Sequence, residues 1–329
     1  MSDGAGSVRT VDLVKYERLD ATVAPIVGML FERYGLADVL VQHVSEVVHD
    51  PDLWSITLTG DLVATVNALE ARQETDGYTT DRGAGTVGGR TISHADGTFD
   101  IVLAADTLVI TQRELATIEE AVEHALRAAA HVAAHEAGHV ALALRRENSC
   151  RFEDLVTVTG AERLWRCHLA AHVDDYRIER MTARTAPSPL AIVAHVEDAI
   201  AHFRDELNFS RATWKTDIEQ ASVRTLTAAN GVVRVIAYLA AELGTAGAAA
   251  VRPEVLPAGW DLYLADAWDA WSLTFARLSP ADEPMNVAAI GAVLNDLCRM
   301  AIAWLDSIGV VSRVDEQQNQ YIYWLEDSY

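Results

Sequence analysis

The chain has 329 residues, half of them hydrophobic, and a formal net charge of −22 at pH 7. A chain of this length and apolarity can bury a sizeable core and is long enough for two subdomains. The strong negative charge disfavours sequence-independent binding to nucleic acid or to an anionic membrane, so we expect neither as a partner. The three cysteines are odd in number and lack a Cys-x-x-Cys spacing, which argues against a disulfide framework or a structural zinc ribbon.

The beginning of the chain carries no apolar run of the kind that a secretory signal needs, so we expect a cytoplasmic protein. The longest apolar stretch, Gly231 to Val251, is interrupted by Arg234 and Glu242. It therefore predicts a buried helix, because a membrane span needs about 20 consecutive, predominantly apolar residues. Arginine and alanine abound while lysine is rare, a composition typical of a high-GC bacterial source.

The first third of the chain alternates between helical and extended patterns. Helical periodicity covers about 20–34, 36–48 and 61–73, and alternating residues predict a strand at 54–59. A segment rich in Thr, Gly and Asp at 74–89 predicts a loop. Two alternating runs, 90–94 and 98–104, then flank Asp96-Gly97, a dipeptide typical of a hairpin turn. The sequence therefore predicts a small sheet that ends in a hairpin.

One long helix is predicted from Glu114 to Arg145, because this segment has no proline and a single glycine. It contains the motif H-E-x-x-H as His135-Glu136-Ala137-Gly138-His139. Residues four apart lie on the same helical face, so both imidazoles can point at one position with Glu136 beside them. Two neutral imidazoles, a further ligand and an open position make a catalytic zinc site, and the carboxylate can act as its general base. The alternative is a helix whose histidines hydrogen-bond in a core or lie at the surface.

A second helix, predicted over about 162–181, offers the further ligand. Four of its side chains follow one stripe at positions i, i+4, i+7 and i+11: His168, His172, Asp175 and Glu179. Such a stripe could be a solvated face, but it follows shortly after a helix that lacks a third ligand. We rank Asp175 first as the metal-binding acid, Glu179 second and Asp174 third, since Asp174 lies about 100° away around the helix.

The remaining sequence, after Met181, is nearly all helical in pattern. Ser188-Pro189 has the residues typical of a helix start. The aromatic residues of the polar segment 315–329 are expected on a packed terminal helix. Further helices are predicted over 260–277 and 285–308, with helix ends at Gly231, Gly244 and Gly309.

The two motifs together resemble those of the zincin metallopeptidases, and within them the gluzincin-like branch. In that group the downstream helix carries an acidic ligand, followed four residues later by an acid that orients a ligand histidine. Asp175 and Glu179 are similar to this pattern with Glu and Asp exchanged, so the acid that touches the metal stays open. The resemblance covers about residues 90–181.

The resemblance implies an α+β fold. A zincin-like part at 1–181 would hold a small sheet at about 53–105, an active-site helix at about 114–145 and the third-ligand helix. A mostly helical subdomain would follow at 182–329. In zincins the strand before the metal-binding helix is an exposed edge that pairs with extended substrate. Phe99, Ile101 and Leu103 are expected to form that edge, with an ordinary internal strand as the alternative.

The activity implied by the resemblance is zinc-dependent hydrolysis of peptide bonds in a peptide or protein substrate. One Zn²⁺ would be held by His135, His139 and Asp175, with Glu136 as general base. Tyr176 and Arg180 are candidate donors to the developing oxyanion, and His172 and His168 are alternative ligands or outer-shell residues. Two other classes stay open: a metal-binding regulatory or defence protein that cleaves or senses one specific partner, and a non-enzymatic zincin-like scaffold.

Overall fold

The computed structural model describes residues 13–73, 77–80, 87–108, 117–244, 248–317 and 319–329. The chain divides into two compact units. Of the described residues, the N-terminal unit comprises 13–73, 77–80, 87–108, 117–141 and 184–189, and the C-terminal unit comprises 142–183, 190–244, 248–317 and 319–329. The predicted α+β class, with a small sheet and a mostly helical C-terminal part, is confirmed at this coarse level. The predicted boundary at 181/182 differs from this division, because residues 142–181 belong to the C-terminal unit.

The described residues form six strands and eleven α-helices. The strands are β1 (Val14–Glu17), β2 (Trp54–Thr59), β3 (Gly89–Ser93), β4 (Phe99–Ala104), β5 (Val310–Val314) and β6 (Gln320–Trp324). The helices are α1 (Val23–Tyr34), α2 (Leu36–Val47), α3 (Leu62–Leu69), α4 (Ile118–Leu144), α5 (Ser149–Phe152), α6 (Arg166–Thr185), α7 (Ile192–Thr213), α8 (Ile218–Leu243), α9 (Trp260–Tyr263), α10 (Trp268–Phe275) and α11 (Val287–Ser307).

The sheet of the N-terminal unit has the strand order β1-β2-β4-β3. Strands β1, β2 and β4 run parallel, and β3 pairs antiparallel with β4. Strand β4 is therefore internal, and the prediction that it forms an exposed edge is wrong. Its side chains Phe99, Ile101 and Leu103 are buried, at most 6 % exposed, and register with Trp54, Ile56 and Leu58 of β2. The edge strand on this side of the sheet is β3, which lies next to β4.

The hairpin between β3 and β4 forms as the Asp-Gly signal predicts. Gly97 has φ +89°, a left-handed conformation that glycine adopts without steric cost. The carboxylate of Asp96 accepts the Thr98 N–H at 3.0 Å, and the His94 N–H donates to the Thr98 carbonyl at 2.9 Å. On the sheet face opposite Ile101, Val102 packs with Val66 of α3 in a small apolar cluster. The hairpin thus fixes the register of β3 against β4, and this register decides which side chains of β3 lie on each face of the sheet.

The C-terminal unit is built on one large apolar core. Helices α6, α7, α8, α10 and α11 all contribute buried residues to it. Two of its buried indoles have hydrogen-bond partners: Trp304 donates to the Tyr263 carbonyl at 2.7 Å, and Trp324 donates to the Thr225 hydroxyl at 3.2 Å. The aromatic tail forms the antiparallel pair β5–β6, so the predicted terminal helix is wrong. Its alternation places Ile322 and Trp324 in the core and leaves Tyr321 and Tyr323 exposed.

Several predicted helix boundaries shift. Helix α7 begins at Ile192, after the proposed start at Ser188-Pro189, and Gly231 lies buried inside α8 instead of ending a helix. Gly244 does follow α8, and Gly309, with φ +84°, follows α11. Helices α8 and α11 are long and apolar enough to cross a membrane by length and composition alone. A core helix of a soluble protein passes the same test, and both helices line the core of the C-terminal unit.

Candidate functional site

The two motif histidines lie on one face of α4. The ring centroids of His135 and His139 are 5.1 Å apart, with the ring planes inclined by 70°. Both side chains are half-buried, whereas the neighbouring Ala137 and Val140 are fully buried. The apolar residues on the other sides of α4 anchor the helix, and the spacing of four residues brings the imidazoles together as predicted.

Glu136 lies between the histidines in sequence and points toward strand β3. It is 5 % exposed, and its Oε2 lies 2.8 Å from the hydroxyl of Thr91. The same hydroxyl lies 2.9 Å from the main-chain oxygen of Glu136. A Cβ placed on Gly89 would lie only 2.8 Å from Glu136 Oε1, so β3 approaches the carboxylate closely. The carboxylate is therefore held against the edge strand of the sheet.

Electrostatics keep one of these histidines neutral. Burial, followed by the nearby His135 and Arg90, lowers the pKa of His139 well below its usual value. Neutral imidazole is the form of histidine that binds metal ions. One turn earlier on α4, His131 donates from Nδ1 to the Ala186 carbonyl at 3.0 Å, and its ring centroid lies 6.3 Å from that of His135. This bond fixes the orientation of the His131 ring.

The stripe on α6 contains side chains in different environments. His172 is buried and donates from Nε2 to Asn230 Oδ1 at 2.7 Å. Asp174 is buried too, and its Oδ2 accepts the Ser149 N–H at 2.8 Å, where α5 begins. His168 is exposed, while Asp175 is half-buried. Asp174 and His172 thus have defined partners within the C-terminal unit, and these partners give both residues a structural role.

Burial also sets the protonation of these two side chains. Burial lowers the pKa of His172 to about 3, although its hydrogen bond to Asn230 acts in the opposite direction. Burial raises the pKa of Asp174 to about 7, against the lowering effect of its hydrogen bonds from Ser149. His172 is consequently neutral in the folded protein across the physiological range.

Both proposed oxyanion donors, Tyr176 and Arg180, have contacts within the C-terminal unit. Tyr176 is 1 % exposed and belongs to the core of the C-terminal unit, where its ring stacks on Phe275 at 5.1 Å. Tyr176 thus packs in this core, and its donor role stays a prediction. The guanidinium of Arg180 donates from Nη1 to the carbonyl of Gly244, just beyond the end of α8. Arg180 is thus engaged in holding the end of that helix.

The three first-ranked metal ligands are divided between the two units. His135 and His139 lie on the part of α4 that belongs to the N-terminal unit, and Asp175 lies on α6 in the C-terminal unit. Two imidazoles and one carboxylate have the composition of a three-ligand zinc site. The second- and third-ranked acids are more buried than Asp175. Glu179 is 8 % exposed, and its Oε2 lies 3.5 Å from the Thr182 hydroxyl. Asp174 accepts a hydrogen bond from the Ser149 N–H.

Sequence reasoning missed Thr91 and Gly89. The available signal was Gly88-Gly89 at the start of an alternating run, since glycine at a strand end often marks a close approach of the backbone to another group. The pattern of β3 alone cannot say which group approaches, because that depends on how the sheet lies against α4.

Comparison with known proteins gives no assignment: no family model matches the chain, and no curated protein and no solved structure matches it either.

Proposed function

We propose that the protein is a zinc-dependent peptidase of the zincin type, which hydrolyses peptide bonds in a peptide or protein substrate. The observation that carries this proposal is the arrangement on α4. Two imidazoles lie side by side on one face, and the intervening Glu136 is held by Thr91. A helix whose histidines merely fill a core would not need a buried carboxylate between them, because burying a charged group is costly.

The donor set fits zinc. His135 and His139 would bind through ring nitrogens and Asp175 through a carboxylate oxygen, which is the composition of a three-ligand catalytic site with a fourth position open. Nitrogen and oxygen donors without thiolate suit Zn²⁺, and they also accept Co²⁺, Ni²⁺ or Mn²⁺. A bound zinc ion supplies Lewis-acid activation of a water molecule and of the scissile carbonyl.

The residues of this chain would transfer the proton, hold the metal and align the substrate. Glu136 accepts a proton from the attacking water and returns it to the leaving amine. His139, kept neutral by burial, is ready to bind metal without first losing a proton. Strand β3 pairs only with β4 among the described residues, so its other edge offers main-chain N–H and C=O groups to an extended peptide. We assign substrate pairing to β3 in place of β4.

The experiment that tests this proposal replaces the base alone. Glu136→Gln keeps the size of the side chain but removes its basicity, so turnover should fall by roughly two to four orders of magnitude while metal content stays the same. Cleavage of casein and of a broad peptide library by zinc-loaded protein would provide the measurement.

Wild-type protein that holds metal without cleaving any of these substrates would contradict general peptidase activity. Equal cleavage by wild type and Glu136→Gln would show that Glu136 is not the base.

A further inference from the structure

Strand β3 meets the general base at two points, through Thr91 and through Gly89. The two residues are two positions apart, so they lie on the same face of the strand. Thr91 registers with the fully buried Ile101 of β4, which fixes the height of its hydroxyl relative to the sheet. Both contacts fall within the N-terminal unit, on the part of α4 that carries the motif.

The hydroxyl of Thr91 has one proton and two acceptors within reach, the carboxylate at 2.8 Å and the main-chain oxygen of Glu136 at 2.9 Å. In a regular helix that main-chain oxygen already accepts an N–H from four residues further on. The proton of Thr91 is therefore available to the carboxylate. A hydrogen bond to an ionised acceptor is shorter and stronger than a neutral one, so it can select one side-chain conformation.

Gly89 contributes by having no side chain. An added Cβ would lie 2.8 Å from Oε1 and 2.9 Å from Cγ of Glu136, distances that real Cβ contacts do not show. The backbone of Gly89 is not in the left-handed region, so alanine can adopt its conformation. An alanine here would consequently act through the carboxylate it displaces, with no strain of its own.

We propose that β3 is the positioning element for Glu136, with Thr91 as the positioning residue that fixes the carboxylate and Gly89 as the position that leaves room for it. The catalytic meaning of this inference rests on the proposed peptidase function, but the positioning itself does not. One edge strand would then both align the extended substrate and aim the base at the attacking water. A shift of the sheet edge would change both together.

The test uses four variants of the full chain. Thr91→Val keeps the shape and removes the hydroxyl, Thr91→Ser restores the hydroxyl, and Gly89→Ala crowds the carboxylate. Ser93→Ala, two residues further along the same face of β3, is the matched control. Crystal structures of the metal-free proteins report the position of the Glu136 carboxylate without any need for activity.

We expect the Glu136 carboxylate to be displaced in Thr91→Val and Gly89→Ala and unchanged in Thr91→Ser and Ser93→Ala. Zinc content, measured by elemental analysis, should stay near that of the wild type in all four. With casein as substrate, kcat should fall by about 10–100-fold in Thr91→Val with little change in KM, and Thr91→Ser should recover most of it. In a Glu136→Gln background, Thr91→Val should add no further loss.

The inference is overturned if the carboxylate keeps its place in both Thr91→Val and Gly89→Ala, or if Thr91→Val cleaves at the wild-type rate. A wild-type protein that does not cleave casein defeats the peptidase proposal instead. In that case the crystal structures still decide whether β3 positions Glu136.

Discussion

Helices α4 and α6 each carry a group of histidines and acids, and the side chains of the two groups have different surroundings. On α4 the imidazoles of His135 and His139 stand half-buried and side by side, and the acid between them is held by the sheet edge. On α6 the buried His172 is bonded to Asn230 and the buried Asp174 to the start of α5. We propose that the α4 residues bind a metal ion, whereas the buried His172 and Asp174 of α6 hydrogen-bond within the C-terminal unit.

The difference lies in where the partners of each polar side chain come from. On α4 the imidazoles of His135 and His139 lie beside each other, whereas on α6 the buried His172 and Asp174 each hydrogen-bond to a residue far away in sequence within the C-terminal unit. Asp175 of the α6 stripe is half-buried, and we propose it as the third metal ligand. Spacing along a helix predicts a shared face, but the neighbours of that face decide whether it binds a ligand.

The largest stability effect is expected from the buried arginine of α6. Arg177 is 0 % exposed and donates to Glu147 Oε2 at 2.8 Å, to the Ser279 carbonyl at 2.9 Å and to the Glu283 carbonyl at 3.1 Å. Arg177→Ala leaves the buried Glu147 with Arg145 as its remaining partner, at 3.3 Å, and removes the donor of two carbonyls. The free energy of unfolding should therefore fall by about 3–5 kcal/mol. Urea unfolding followed by tryptophan fluorescence reports this well, since every tryptophan except Trp54 belongs to the C-terminal unit.

A double replacement provides the control for this prediction. Arg177→Met combined with Glu147→Leu removes both charges and should be less destabilising than Arg177→Ala, because it leaves no buried carboxylate that has lost one of its two arginine partners. A loss below about 1 kcal/mol in Arg177→Ala, on the scale of an exposed ion pair, would contradict the structural role assigned to this part of α6.

A smaller effect, visible only against pH, is expected from His172. Its pKa is about 3 in the folded protein and about 6.5 when unfolded, so the unfolded chain binds a proton that the folded chain refuses between these values. The stability from this residue is therefore present above pH 6.5 and is lost as the pH falls toward 3, by at most about 1.4 kcal/mol per pH unit. Urea unfolding of metal-free protein at a series of pH values measures this slope.

His172→Gln keeps a donor for Asn230 but cannot take up the proton. The variant should show a shallower loss of stability than the wild type below pH 6.5, with the two curves parallel above it. Identical slopes would mean that His172 is protonated in the folded state, which would contradict its burial and its bond to Asn230.

Much of this contrast was predictable from α4 and little of it from α6. The H-E-x-x-H motif specifies its geometry locally, because residues four apart must share a helical face, and the hairpin at Asp96-Gly97 is equally local. The partners of His172 and Asp174, by contrast, lie 58 and 25 residues away in sequence. No spacing within α6 can reveal these partners. The sequence pattern therefore does not distinguish the buried, hydrogen-bonded members of the stripe from the others.

The prediction that β4 is an edge strand was wrong for a similar reason. Alternation in 98–104 identifies β4 correctly, but strand order depends on which strands pair, and β2 occupies the side of β4 that the prediction left open. The contact between Thr91 and Glu136 likewise joins residues 45 positions apart. The β5–β6 pair was missed because short aromatic runs fit a helix or a strand equally well when read alone.

The central claim, that α4 binds the metal while the polar residues of α6 other than Asp175 are structural, is tested most directly by zinc content. Each protein is stripped with chelator, reloaded with zinc, desalted and measured by elemental analysis. Wild type and His172→Ala should hold near one equivalent and Asp174→Ala about the same, while His139→Ala and Asp175→Ala should hold none. Glu179→Ala should bind about 10–100-fold more weakly if it orients a ligand. Full zinc retention in His139→Ala, or loss in His172→Ala equal to that in His139→Ala, would contradict the account.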